Sequence, residues 1–448
     1  MQPARLPIPS LPAWPVLGNV LALRRARLAL LERVSREFGD IGAFHFGMRL
    51  VPLLNSPELV REALVEQGTL FEKTATVRAL AEPVLGRGVF LSEGEEHRRQ
   101  RRLLAPLFQQ SRVRDYAETI VSYTVRLQES WRADEVIDLA GEMIRLTLWI
   151  IGDVLFGADV SGEESELGAA LTSTFEHFAG ALTNPLRPPL SWPTPGNLRA
   201  RRALARVNAT IARLIEERRG RGEARRDFLS LMLQARDEEQ ALNDRQVRDD
   251  ALSLFVAGHE TTANALAWCW YLLSQHPEIY ARMQAEADQA LQQRQPTAAE
   301  PPTLPYALQV WKEALRLYPP VYAFTRRAAS TVQLGPYSIP RGTSVVISPY
   351  TLHRRAQFFP NPERFDPARF EPAQEQQRPR YAYIPFGAGP HICLGMHLAL
   401  LEGPLVLATL ARHVTFEFVG SAPLEPEPLL TLRPAGPVMM RVRKRYPL

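Results

Sequence analysis

The residues best placed to do chemistry sit in one short run near the C-terminal end, Phe386-Gly-Ala-Gly-Pro-His-Ile-Cys393-Leu-Gly395. Gly387 and Gly389 open backbone conformations that side chains disfavour, so the run makes a tight loop. Apolar residues at helical spacing follow from about Leu394 to His413, which sets Cys393 at a helix N-terminus. Unpaired N–H groups and the positive end of the helix dipole favour a thiolate there, the dipole alone by ~0.3–1 kcal/mol. A thiolate beneath a flat cofactor can bind iron and push electron density into it, and Gly395 lets such a cofactor approach the backbone. The ordinary alternative for a lone cysteine is a small buried hydrophobe.

A second constellation, Ala257-Gly-His-Glu260-Thr261-Thr262, interrupts an apolar stretch from Ala251 to Leu273. An acid beside an alcohol suits a reaction that must deliver protons to a bound oxygen. The bland alternative is that Thr261 bonds the carbonyl four residues earlier while Glu260 meets an arginine. A zinc-protease reading of His259 and Glu260 fails, because Ala263 stands where the second histidine is needed. Glu313 and Arg316, three residues apart, share one face of a helix and can pair.

These residues need elements to hold them. Asn243 with Gln246 forms a capping-box pattern and Pro277 closes the far end, so a helix of roughly 50 Å is expected over 243–276. It is apolar around most of its circumference and therefore buried, and His259, Glu260 and Asn264 exclude a membrane span. A proline-stiffened lead-in occupies residues 1–20, and short alternating stretches near Ile41–Phe46 and Val51–Leu54 suggest a small sheet. Helical periodicity then dominates to about Leu291, and strands and turns return after Pro340. The expectation is one domain over 1–448, mainly α with a minor β region.

With 46% apolar and 23% charged residues the chain reads as globular, and its formal charge of +5 is spread among acids, unlike a nucleic-acid-binding surface. Two cysteines fit a reducing compartment. Met1–Asn19 lacks the continuous apolar core of a secretory signal, and Val16–Leu23 is shorter than the ~20 residues a bilayer requires, so a cytoplasmic protein without a transmembrane anchor is expected.

The Phe386–Gly395 spacing closely resembles the haem-binding loop of the cytochrome P450 superfamily. Three further features fall in that family's order: the Ala257–Thr262 segment, Glu313 with Arg316 followed by Phe365-Asp-Pro-Ala-Arg369-Phe370, and His97-Arg-Arg-Gln-Arg101. The resemblance spans almost the entire chain, and it implies the P450 fold, with the long helix crossing over a buried haem b. It assigns Cys393 as the proximal iron ligand, with Phe386 and Gly395 beside the cofactor. Glu260 and Thr261 become the catalytic proton-delivering pair, and Gly258 thins the helix for dioxygen. Glu313, Arg316 and Arg369 become a structural network behind the cysteine loop; His97, Arg101, Arg326 and His391 contact the haem propionates.

The implied reaction inserts one oxygen atom of O₂ into a substrate, using electrons ultimately from NAD(P)H. Since 55 residues follow Cys393, the electrons are expected through a separate ferredoxin or flavodoxin and its reductase. Arg98, Arg99 and Arg102 are either a docking patch for that partner or a solvated face. Peroxide-driven relatives usually lack the acid–alcohol pair. By family position the pocket is lined by Val77, Phe90, Leu254, Phe255, Ala257, Val321, Phe324, Leu430 and Thr431, which points to a lipophilic substrate. Bacterial fatty-acid hydroxylases are similar in the long helix, yet Leu53 stands where some carry an aromatic hydroxyl near Arg49, so terpenoids, including carotenoids, are equally open. Pro185–Pro195, with Leu186, Leu190 and Trp192, is expected beside the entrance. The alternatives are a haem-dependent ligand-binding or sensor protein without turnover, and a large helical binding protein without haem.

Overall fold

The computed structural model describes residues 6–157, 188, 190–221, 227–234, 242–291 and 304–445. Its organising element is the helix Asp244–Gln275, 32 residues or about 48 Å long. Asn243 caps it with both arms of the capping box: the Gln246 N–H donates to Asn243 Oδ1 at 2.9 Å, and the Asn243 N–H donates to Gln246 Oε1 at 3.1 Å. At the far end His276 leaves helical geometry and Pro277 opens the next helix, Pro277–Leu291.

Nearly every side chain from Thr262 to Leu273 is buried, as the apolar circumference requires. Helices Leu139–Phe156, Pro305–Leu317 and Met396–His413 pack around this rod and share one core with it. Aromatic rings lock that core. Trp268 stacks on Tyr318 with ring centroids 3.8 Å apart and donates its Nε1–H to the Leu432 carbonyl at 3.2 Å. Cys269 lies in the same core as a free, fully buried thiol.

The β region is peripheral. Strands β1 Ile41–Phe46, β2 Arg49–Leu54, β3 Phe71–Glu72, β4 Val136–Asp138, β5 Phe324–Ala328, β6 Val332–Leu334, β7 Tyr337–Ile339 and β8 Ser344–Ile347 precede the cysteine loop. After it come β9 Val414–Phe418, β10 Pro426–Pro428, β11 Leu432–Pro434 and β12 Met439–Lys444. The largest sheet runs β1-β2-β8-β5-β3, with β2 and β8 parallel and the other pairs antiparallel. A three-stranded sheet β4-β12-β9 and two hairpins, β6-β7 and β10-β11, complete it. Among the described residues no helix is long and apolar enough to cross a membrane. Of the proline-rich segment expected at the entrance, Leu186 and its immediate neighbours lie outside the described residues; within the rest, Trp192 is exposed ahead of the helix Pro195–Arg221.

Candidate active site

The cysteine loop is built from backbone constraints. Gly387 and Gly389 have φ of +72° and +71°, and the Cys393 N–H closes the loop on the Phe386 carbonyl at 2.9 Å. A Cβ at Gly389 would lie 1.7 Å from the Leu64 carbonyl oxygen, so no side chain fits there without moving the loop. Gly395 caps the helix Met396–His413 and turns its N–H to Cys393. Cys393 is exposed at the end of this loop. Burial pushes the thiol up, while the Gly395 N–H and the Arg101 guanidinium pull it back toward thiolate.

Beside the loop, basic side chains from four parts of the chain converge. His97 and His391 face each other with ring centroids 4.0 Å apart, and Arg101 Nη1 donates to the Ile392 carbonyl at 2.7 Å. Lys73 Nζ lies 3.2 Å from His391 Nδ1 and 2.8 Å from the Ser92 carbonyl it donates to. Arg326, on β5, is within electrostatic reach of both Lys73 and His391. Among the described residues the carboxylate of Glu93 answers these groups, 3.5 Å from Lys73 and 3.4 Å from His391. Burial and the neighbouring cations hold His97 at about 3 and His391 below its usual value, and burial brings Lys73 down to about 8. Such a set fits a group carrying two carboxylates, and exposed Cys393 fits its metal. Lys73 and Glu93 escaped the sequence reading, because single charges in a charged segment carry no periodic signal.

The long helix presents one open stripe to this region. Ala257 is exposed and Leu254, Gly258 and Thr261 are half-buried, at the spacing of one helical face, with Glu260 half-buried beside them and Phe255, Val256, His259 and Thr262 covered. Thr261 Oγ1 donates to the Ala257 carbonyl at 2.8 Å, the local bond foreseen as its bland alternative. Glu260 Oε1 accepts from Thr431 Oγ1 at 2.8 Å, and Asn264 Nδ2 donates to the same hydroxyl at 3.1 Å. Burial raises the Glu260 carboxyl above the ordinary range, over the opposing Thr431 hydrogen bond and the Arg433 charge. Glu260 is therefore tied into a polar chain with Thr431 and Asn264.

Three expectations change. Phe255 does not line the pocket: it is one helical step off the open stripe, buried against Phe156, with ring centroids 5.8 Å apart. Thr431 is not an apolar lining group, because its buried hydroxyl is committed to Glu260. Gly258, expected to thin the helix for dioxygen, would point a Cβ at Ile151, 2.6 Å from its Cδ1, so it makes room for the neighbouring helix.

Of the other lining candidates, Phe90, Val321 and Leu430 are exposed apolar surface, Val77 packs partly against the main core, and Phe324 lies half-buried under the Arg326 guanidinium. Phe90 is carried by a loop held from below by the first turns of the long helix. The Arg87 N–H donates to Asp249 at 2.8 Å and the Val89 N–H to Asp250 Oδ1 at 2.6 Å. Burial pushes the Asp250 carboxyl to about 7, over the opposing Val89 bond, with Asp249 and Glu96 adding to the rise.

This shift has a signed consequence. Between its ordinary value of 3.8 and about 7, the folded chain keeps a proton that the unfolded chain has lost. Stability therefore falls as pH rises through that window, then levels off. Asp250→Asn retains the acceptor for Val89 and is expected to flatten that part of the profile, read as thermal midpoints of variant and parent across the window. Buried Glu402, raised to about 8, acts in the same direction in both proteins and cancels from their difference.

Behind the loop, Arg316 grips Glu313 in a two-pronged pair, Nε to Oε2 at 2.7 Å and Nη2 to Oε1 at 2.9 Å, with both side chains fully buried. The remaining arginine donors reach the His353 and Arg364 carbonyls at 3.0 and 3.1 Å. Glu313 also takes the Asp366 N–H at 2.9 Å, and Arg369 Nε approaches it to 3.4 Å. His353, kept neutral by burial, accepts the Ile384 N–H at 2.8 Å just ahead of the cysteine loop. The network thus links Pro305–Leu317, the 361–369 segment and the entry to the loop. Nothing local marked His353 as a member.

A mainly helical protein with an accessible cysteine in a glycine-pinned loop, flanked by cations and by a buried helix carrying an acid and an alcohol, has the architecture of a haem-thiolate oxygenase. The chain belongs to the cytochrome P450 family, whose description, Cytochrome P450, matches residues 8–441. It is 35% identical over 409 residues to "Cyclooctat-9-en-7-ol 5-monooxygenase" of Streptomyces melanosporofaciens, covering 89% of this chain and 87% of that protein. It is 31% identical to "Pentalenene oxygenase" of Streptomyces avermitilis, covering 97% of each. Its structure is similar to that of "cytochrome P450DA heme domain", with a TM-score of 0.88 and 26% identity over 99% of each chain. The protein is a cytochrome P450 monooxygenase, an oxidoreductase using haem iron, dioxygen and electrons from a redox partner.

Proposed function

We propose that this enzyme oxygenates a lipophilic, terpenoid-type substrate, with Cys393 as the residue whose thiolate would hold the iron of a haem b. The observation that carries the reading is exposed Cys393 in its glycine-pinned loop beside a cation cluster. His97, Arg101, Arg326, His391 and Lys73 would hold the propionates, and Phe386 and Gly395 would flank the ring. When bound, the haem supplies reductive activation of dioxygen and transfer of one oxygen atom to the substrate.

The chain's own residues do the rest. Glu260 holds a proton at Oε, anchored by Thr431 and Asn264, and passes it toward the open stripe. Thr261 carries its hydroxyl on that stripe, where rotation away from the Ala257 carbonyl would free it to donate a hydrogen bond toward the open side of the helix. Leu254 and Ala257, with exposed Phe90, Val321 and Leu430, exclude water and hold an apolar molecule. Relatives named for pentalenene and for cyclooctat-9-en-7-ol support a terpenoid over a fatty acid, as does buried Leu53 near exposed Arg49. Electrons come from NAD(P)H through a separate ferredoxin or flavodoxin and its reductase in the cytoplasm.

Turnover of a panel of terpenoid hydrocarbons and fatty acids under isotopically labelled dioxygen tests this. One labelled oxygen in a terpenoid product is the expected result. Label confined to fatty-acid products would overturn the substrate class, and products free of label would overturn the oxygenase role.

A further inference from the structure

The open stripe of the long helix continues one turn back from Leu254 to Asp250, on the same face. There it is covered by the loop 86–91, which carries Phe90. The helix holds that loop through the loop's backbone. Asp249 accepts the Arg87 N–H at 2.8 Å, Asp250 accepts the Val89 N–H at 2.6 Å, and Ser253 Oγ donates to the Leu85 carbonyl at 3.4 Å. From the other side Gln100 Nε2 donates to the Arg87 carbonyl at 3.1 Å. The fit is close: Gly86 sits at φ +61°, and a Cβ there would fall 2.1 Å from Asp249 Cγ. Val89 and Leu91 are buried, while Phe90 between them stays half-exposed.

The two carboxylates are not equivalent. Asp249 is answered by Arg248 Nη1 at 2.6 Å and, more distantly, by Arg245 at 4.0 Å. Arg248 also donates to Asn208 of the helix Pro195–Arg221, so this acid ties the loop to the helix that follows the expected entrance segment. Among the described residues no cation answers Asp250, and its buried Oδ2 has no hydrogen-bond partner. The charges that face it are both acidic: Asp249 on its own helix and Glu96 on the helix Gly94–Leu104. Closing the loop over an ionised Asp250 strips it of water without supplying a counter-charge. The closed loop therefore favours the proton and the open loop favours its loss. Burial keeps the closed-loop carboxyl at about 7 against the ordinary 3.8, so closure weakens as pH rises through that window and then levels off.

On the reading that Phe90 and Leu254 border the substrate cleft, we propose that Asp249 and Asp250 are positioning residues for substrate entry: they clamp the Phe90 loop over the end of the cleft, and loss of the Asp250 proton releases it. Asp249 is the fixed anchor, because its charge is balanced by Arg248. Asp250 is the release, because its charge is not. Entry and exit of a ligand then share one opening step, so both rates move together while the affinity changes little.

The test follows binding and release of 4-phenylimidazole by the full-length, ferric, haem-loaded protein, using stopped-flow absorption between about pH 5 and 8. Asp250→Asn keeps an acceptor for the Val89 N–H but cannot ionise, so the ratio of parent to variant rates removes the ligand's own titration. That ratio should climb with pH toward about 7 for binding and for release alike, and then level off. Asp250→Ala should speed both rates about fivefold at the acid end, the effect of one lost hydrogen bond on the closed population. A merely structural lesion would lower affinity or haem content without speeding binding. Deuterium uptake by a peptide spanning 86–91 reads the clamp itself, and should rise over the same window in the parent relative to Asp250→Asn. A ratio flat with pH in either readout overturns the proposal, as does an Asp250→Ala that binds and releases at the parent's rates. Should Asp250→Ala fail to hold haem, the Asp250→Asn comparison decides alone. A parent whose Soret band does not respond to 4-phenylimidazole overturns the active-site reading itself, and the clamp's role in entry with it.

Discussion

Arg316→Met is expected to yield a chain that fails to accumulate in folded form or unfolds at much lower urea. Both members of the Glu313–Arg316 pair are fully buried, so the variant leaves a carboxylate in the interior facing only the more distant Arg369. Stranding one partner of a buried pair costs ~3–5 kcal/mol, a large share of the ~5–15 kcal/mol by which domains are stable. The loss goes beyond one ion pair, because the same guanidinium ties down the His353 and Arg364 carbonyls and Glu313 holds the Asp366 N–H. Lys312→Met provides the contrast. Its 2.8 Å pair with Glu375 lies on the same helix but is partly exposed, so its loss is expected to cost below ~1 kcal/mol. Urea midpoints and haem content of the two variants measure the difference; equal midpoints would mean that the buried network does not hold the cysteine side of the fold.

Glu260→Gln should lower product formation about 10²-fold while substrate binding is retained, since the amide keeps an acceptor for Thr431 but cannot give up a proton in the same way. Thr261→Ala removes the hydroxyl on the open stripe and should leave electron consumption running while product per electron falls. The pH dependence carries a sign. Burial raises the Glu260 carboxyl, and the Thr431 hydrogen bond opposes the rise. Thr431→Val removes that opposition, so Glu260 should stay protonated to still higher pH and the profile controlled by it should move upward. A profile unmoved in Thr431→Val, together with full product yield in Glu260→Gln, would remove Glu260 from proton delivery.

The parts of the fold that residue types declare locally were legible before any coordinates. Asn243, Gln246 and Pro277 are punctuation for a helix that runs from Asp244 to Gln275. Gly387 and Gly389 signal a backbone that must turn where side chains cannot follow. What escaped was phase and partnership. On a helix that is apolar nearly all round, pattern alone cannot say whether Leu254 or Phe255 faces the cleft, and a one-residue difference turns the side chain by about 100°. Gly258 looked like a thinning of the helix toward a ligand, but its empty side is filled by Ile151, more than a hundred residues earlier in the chain. Thr431, Lys73 and His353 acquire their roles only through contacts across long stretches of sequence, which no local signal announces.

The most direct measurement is the absorption spectrum of the purified protein, reduced and exposed to carbon monoxide, for the parent and for Cys393→Ser. A strongly red-shifted Soret band in the parent, absent from a variant that still holds haem, is the predicted result. An unshifted band in the parent, or a shifted band that survives in Cys393→Ser, would contradict ligation by the Cys393 thiolate.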